Sequence, residues 1–181
     1  MYPVLLTLVG LNFLAVAATA TMGVMIESTD SVYLHFLWGL GTTILICFTH
    51  LLVLFYLIGT EGDIKEALEP HPDLAETYVP RAKALKMRAF PAGSGAVLLT
   101  IFAALMGGEV HSRLLMQSPP DQPPPVREIS VWWHHLVFVI IALTVNIVAF
   151  QREFQVVREN RRTIVEINEK LESREGAESA S

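Results

Sequence analysis

Four long runs of apolar residues alternate with polar connections along this chain, at about 2–26, 32–58, 90–106 and 131–150. An α-helix needs about 20 mostly apolar residues to cross the hydrocarbon core of a bilayer. The pattern therefore predicts an all-α protein, an integral membrane four-helix bundle over 1–150. A polar helical tail should follow over 151–181, with residues 176–181 disordered.

The first run ends near Ala18-Thr19-Ala20, which has the small-x-small form of a signal-peptide cleavage site. No Lys or Arg precedes it, and a signal peptide needs a basic start, so the run is expected to stay as a helix. Asn12, Ala15, Thr19, Met22 and Gly23 recur at helical spacing and suit close helix packing in lipid. Residues 27–30 make a short turn into the second helix.

The connection 59–89 reads as amphipathic pieces. Residues 63–69 predict a short helix ended by Pro70, and Asp73-x-x-Glu76 is a helix start. The basic stretch 81–88 is expected at anionic headgroups, with a docking surface as the alternative. His71, between two prolines, reads as a solvated loop residue. Pro119, Pro120, Pro123, Pro124 and Pro125 predict a stiff, extended connection before the fourth run. Trp132 and Trp133 open that run, where an aromatic belt belongs. In the tail, Val157, Ile164, Ile167 and Leu171 form a narrow apolar stripe, expected to meet a partner.

Composition agrees with a membrane protein: 52% of residues are hydrophobic, 17% are charged, and the mean hydropathy is +0.44. Cys47 is the only cysteine, so neither an internal disulfide nor a thiolate cluster can form. A net charge of −5 gives no reason to expect nucleic acid as a partner. Lys and Arg collect in the 59–89 connection and in the tail, whereas the opposite side has only Arg113 and Arg127. Basic residues mark the cytoplasmic side, so both termini are expected there, in an inner or plasma membrane.

Histidine carries the candidate chemistry. His35, His50, His111, His134 and His135 fall in or at the ends of the apolar runs. An ionisable side chain at membrane depth is costly and usually functional. Because successive helices reverse direction, His35, His111, His134 and His135 should share the outer side, with His50 about 22 Å deeper at 1.5 Å per residue. Gly39 lies one turn from His35, and Gly107 and Gly108 one turn from His111, all deeper than their histidine. Missing side chains beside histidines suit a flat macrocycle held edge-on. Only one of His134 and His135 can face the bundle. His135 shares its face with Ala142, Asn146 and Ala149, which makes it the better ligand candidate.

These residues support one haem b with two histidine ligands, His35 and His111, and His135 as the substitute. The architecture resembles membrane b-type cytochromes, in which transmembrane helices donate axial histidines. That resemblance implies electron transfer between quinone and a redox partner, as a subunit of a membrane complex. The chain departs from a two-haem arrangement, because His50 has no histidine at its depth on another helix; Met87 or another subunit would have to supply the second ligand. Glu109, His134, Trp132 and Trp133 are the groups left for a quinone or proton site. Two alternatives remain open. One is a compact Zn, Cu or Fe site built from His35, His111 and His135 with Glu27 or Glu109. The other is an accessory structural subunit whose histidines hold no prosthetic group. No nucleotide-binding loop or nucleophile–base motif is present.

Overall fold

The computed structural model describes residues 1–26, 28–117 and 132–179. Among them there are four helices and no strands: α1 (Tyr2–Val24), α2 (Thr29–Ala67), α3 (Pro72–Gln117) and α4 (Trp132–Ser179). All four are long and apolar enough to cross a membrane. Glu27 and the proline-rich connection lie outside the described residues.

Local chemistry sets the helix ends. Ser28 and Ser31 form a reciprocal cap at the start of α2: the Ser31 N–H donates to Ser28 Oγ at 3.2 Å, and the Ser28 N–H donates to Ser31 Oγ at 2.9 Å. Asp30 in the same turn complements the helix dipole. At the other end of α2 the chain reverses within residues 68–71, where the His71 N–H donates to the Leu68 carbonyl. Pro72 then opens α3, a position that needs no backbone N–H.

α2 packs along α3 and α3 along α4; α1 lies against α2 and touches α4, and α2 meets α4 across the short diagonal. Helix length divides the molecule. The 23 residues of α1 span about 35 Å, close to one bilayer core, at 1.5 Å per residue. α2, α3 and α4 have 39, 46 and 48 residues. At the same rise they run about 58 to 72 Å. They therefore continue past α1 as a three-helix stalk.

The stalk revises the reading of both polar segments. Residues 63–67 are the end of α2, with Leu68 as its cap, and α3 runs uninterrupted through Pro80 and Pro91. A proline inside a helix removes one backbone hydrogen bond and crowds the preceding turn, at about 3 kcal/mol. Packing on both sides of α3 offsets this. Ile64, Leu68, Leu74, Tyr78, Ala82 and Ile167 form the stalk core, with Ile164 and Leu171 against it. The tail's apolar stripe thus meets its own chain. The basic stretch does likewise: Arg81 pairs with Glu166 at 2.9 Å, Lys86 with Glu61 at 2.5 Å and Arg88 with Glu159 at 2.8 Å. Arg174 pairs with Asp73 near the tip, and α4 continues as helix through Gly176.

A second apolar cluster, around Leu5, Val53, Leu57, Leu85, Phe150 and Val156, fills the bundle where the stalk begins. A third, Val32, Val110 and Leu114, closes the far end, here termed the histidine end. Between them, apart from Ile46, the buried residues are small or polar, among them Asn12, Thr42, Thr49, Ala96, Thr100, Ala103, Ala142 and Asn146.

Candidate functional site

His35 on α2 and His135 on α4 face each other across the diagonal of the histidine end. Their ring centroids are 6.5 Å apart and their planes are inclined at 75°. Each ring is held the same way by the neighbouring helix of its hairpin. His35 Nδ1 lies 3.0 Å from the Thr19 carbonyl on α1, and His135 Nδ1 lies 3.1 Å from the Ala103 carbonyl on α3. A carbonyl only accepts, so both Nδ1 atoms carry the hydrogen and both Nε2 atoms keep a lone pair.

One turn beyond each of these carbonyls is a glycine, Gly23 on α1 and Gly107 on α3. A Cβ on Gly23 would stand 2.8 Å from His35 Cε1, and a Cβ on Gly107 would stand 2.9 Å from His135 Cε1. Both distances are shorter than any real contact, so each ring occupies the space of a missing side chain. The two hairpins therefore build one module twice: a glycine cradle, a carbonyl acceptor one turn earlier, and an imidazole from the next helix.

Gly107 is thus a cradle, but for His135 rather than His111. Gly23 reads from sequence only as part of a packing stripe, and it is the counterpart of Gly107. Gly39 has room beside it, since a Cβ there would meet Thr19 Cγ2 at an ordinary 3.7 Å. Gly108 faces open space. Ala142, Asn146 and Ala149, which share a helix face with His135 rather than His134, are all buried.

The remaining candidates flank the pair. The His111 ring stacks on Phe36 at 4.4 Å, beside His35 in sequence, and the His134 ring stacks on Trp133 at 3.6 Å. Nδ1 of both His111 and His134 is buried with no hydrogen-bond partner among the described residues. Trp132 and Trp133 are exposed. Glu109 is exposed as well and pairs with Arg113 one turn on, at 2.7 Å. Among the described residues, no group of three or more His, Cys, Asp or Glu side chains is arranged to hold one metal ion.

His50 has neither a histidine nor Met87 as its partner. Its two ring nitrogens lie 2.8 Å from Glu153 Oε1 and 2.7 Å from Asn146 Oδ1. Both nitrogens are engaged, so His50 has none free for a metal.

The histidine pair has the chemistry of a two-ligand metal site. Ligating imidazoles typically donate their other N–H to a carbonyl or carboxylate, which fixes the tautomer and the ring orientation. Imidazole nitrogens bind first-row metals at about 2 Å and the ring centre lies roughly 1 Å further, so two rings on opposite sides of one metal stand about 6 Å apart. The ring spacing of 6.5 Å matches that expectation, and both rings are of the donor type a haem iron takes. Comparison of the chain with protein families, characterised proteins and solved structures gave no match.

Proposed function

We propose that this chain is a multi-pass membrane electron-transfer protein of the b-type cytochrome kind, with one haem b between His35 and His135. The observation that carries this reading is the duplicated module: two imidazoles 6.5 Å apart, each donating Nδ1–H to a backbone carbonyl and each seated on a glycine. A haem b held there would supply one-electron chemistry, with its potential tuned by the axial ligands and the groups around them. The protein's own residues hold the rings in one tautomer and exclude water with Val32, Val110 and Leu114 above the pair. Sequence alone favours His111 as the partner of His35. The facing rings favour His135 and leave His111 in a flanking position.

Quinone is the proposed exchange partner at this end. Two buried imidazole nitrogens with no partner among the described residues, on His111 and His134, are the groups that would hydrogen-bond a quinone headgroup at the edge of the apolar core. The tryptophans beside them suit the membrane interface. Glu109, held by Arg113 at the surface, is placed to accept a proton released to the aqueous side.

The distribution of Lys and Arg orients the proposal. The stalk and its approaches carry Arg81, Lys83, Lys86, Arg88, Arg158, Arg161 and Arg162, whereas among the described residues the histidine end has Arg113. The stalk then faces the cytoplasm, together with both termini. A stalk that extends well beyond the bilayer suits a subunit of a larger membrane complex.

The test is the reduced-minus-oxidised visible spectrum of the purified chain after expression with ample haem. A b-type spectrum at one haem per chain supports the proposal, and a colourless protein refutes it. If the haem is present, Glu109→Gln and His134→Ala should slow its reduction by a quinol analogue while preserving the spectrum. Unchanged rates in both would move the quinone elsewhere.

A further inference from the structure

A second polar cluster lies about 22 Å along α2 from His35, at 1.5 Å per residue. Its centre is His50 on α2 and Glu153 on α4, both fully buried and 2.8 Å apart. The phenyl ring of Phe150 stacks on His50 at 4.3 Å. The α3 backbone closes on the carboxyl group: a Cβ on Gly93 would stand 2.9 Å from Glu153 Oε1.

Hydrogen-bond accounting fixes most of the protons. The Ala142 carbonyl can only accept, so the atom 2.7 Å from it is the amide nitrogen of Asn146. The same nitrogen donates to Thr100 Oγ1 at 2.9 Å. Asn146 Oδ1 is therefore the atom that faces His50 Nε2, and Nε2 must carry a hydrogen. One more proton lies between His50 Nδ1 and Glu153 Oε1. Whether it sits on the ring or on the carboxyl group, the pair is neutral overall. The other carboxyl oxygen, Oε2, is buried with no hydrogen-bond partner among the described residues.

That bare oxygen separates a structural ion pair from something more. An apolar pair of similar volume would serve packing as well or better. A structural pair also gains by satisfying both carboxylate oxygens, because a buried acceptor left unpaired costs about 1–3 kcal/mol. Here one oxygen is bare while every other position of the network is filled. The nearest other charges lie toward the stalk end: the Met1 amino group, whose residue packs on the neighbouring apolar cluster, and Arg88, which pairs with Glu159. α1 has no charged side chain, and residues 36–60 of α2 and 89–108 of α3 have none besides His50. On α4 the nearest is Arg152, which is exposed.

We infer that His50 and Glu153 form an imidazolium–carboxylate pair that is a proton-binding site of the bundle and takes one further proton onto Glu153 Oε2. The proton adds to the free lone pair of Oε2. The product is an imidazolium beside a neutral carboxylic acid, and the charge of the pair rises from zero to plus one. No electron moves and no cofactor is required, so the inference stands apart from the haem proposal. Buried carboxyl and imidazole groups within membrane helices commonly serve proton uptake and relay.

The test is infrared spectroscopy of the purified full chain, without haem, in nanodiscs of neutral phospholipid across a pH titration. A carboxylic-acid C=O band should grow as pH falls, shift in D2O, and be missing in Glu153→Gln. It should persist in Glu159→Gln, which alters an exposed carboxylate. If Glu153→Gln does not fold by circular dichroism, solid-state NMR of the wild-type chain with labelled Glu and His decides instead. The Glu153 carboxyl carbon should then titrate while the His50 ring keeps both protons. A Glu153 carboxyl that holds one protonation state over the whole pH range in which the helices stay folded overturns the inference.

Discussion

Adding one methyl group to each of four glycines tests the cradle geometry. At Gly23 and Gly107 the new Cβ would lie 2.8 and 2.9 Å from a histidine Cε1. The rings cannot yield freely, since each is tied by Nδ1–H to a carbonyl of the same helix as its glycine. The overlap either displaces the ring or spreads the hairpin. Overpacking of this kind costs about 1–3 kcal/mol. Loss of the Nδ1–H bond adds about 1 kcal/mol. The helix-propensity gain of Ala over Gly returns about 0.5–1 kcal/mol. The net expectation for Gly23→Ala and Gly107→Ala is a destabilisation of about 1–3 kcal/mol each, similar in size because the contacts are. Gly108 has nothing within 4 Å, so Gly108→Ala should be neutral or slightly stabilising. At Gly39 the contact is an ordinary 3.7 Å, and Ala should be tolerated there too. Thermal unfolding in detergent, followed by circular dichroism, ranks the four. If Gly108→Ala proves as harmful as Gly107→Ala, or if both cradle variants are neutral, the rings are not seated on these glycines.

Other parts of the molecule give independent expectations. Leu68 is fully buried in the stalk core, so Leu68→Ala should cost about 2–5 kcal/mol and lower the Tm without altering the histidine end. Arg88→Ala removes a half-exposed ion pair with Glu159 and should change stability by less than about 1 kcal/mol in the same assay. Glu153→Leu leaves His50 without its partner and should cost about 3–5 kcal/mol, whereas the double variant His50→Leu/Glu153→Leu should recover most of that loss in an unfolding titration. A single cysteine introduced at Gln122 in a Cys47→Ser background should react with an impermeant thiol reagent from outside intact cells, and one at Asp73 should not; the reverse pattern inverts the proposed orientation.

Much of this fold is legible in the residue pattern, because each apolar run is long and bounded by polar connections. The stalk is less so. Pro70 reads as a helix break, but nothing in the pattern announces that α3 runs on through Pro80 and Pro91, where α2 and α4 pack on it along its length. The stripe at Val157, Ile164, Ile167 and Leu171 announced a packing surface but not which helix would cover it. Histidine positions and their faces are also legible, since helical spacing separates His135 from His134. Pairing is not. Matched glycines joined His35 to His111, but the carbonyl and the cradle that hold each ring come from the preceding helix of its hairpin. Gly23 and Gly107 become equivalent only once α1 lies on α2 and α3 lies on α4. The role of Glu153 is not legible for a similar reason. It lies just past the fourth apolar run, among tail charges, and 103 residues from the histidine it meets.

The most direct measurement of the central claim is the haem content and reduced-minus-oxidised spectrum of four matched preparations: wild type, His35→Ala, His135→Ala and His111→Ala. Loss or a strong shift of the spectrum in the first two variants, with near-normal haem in His111→Ala, is the expected result. Full haem in both His35→Ala and His135→Ala, or loss confined to His111→Ala, contradicts the pairing of His35 with His135.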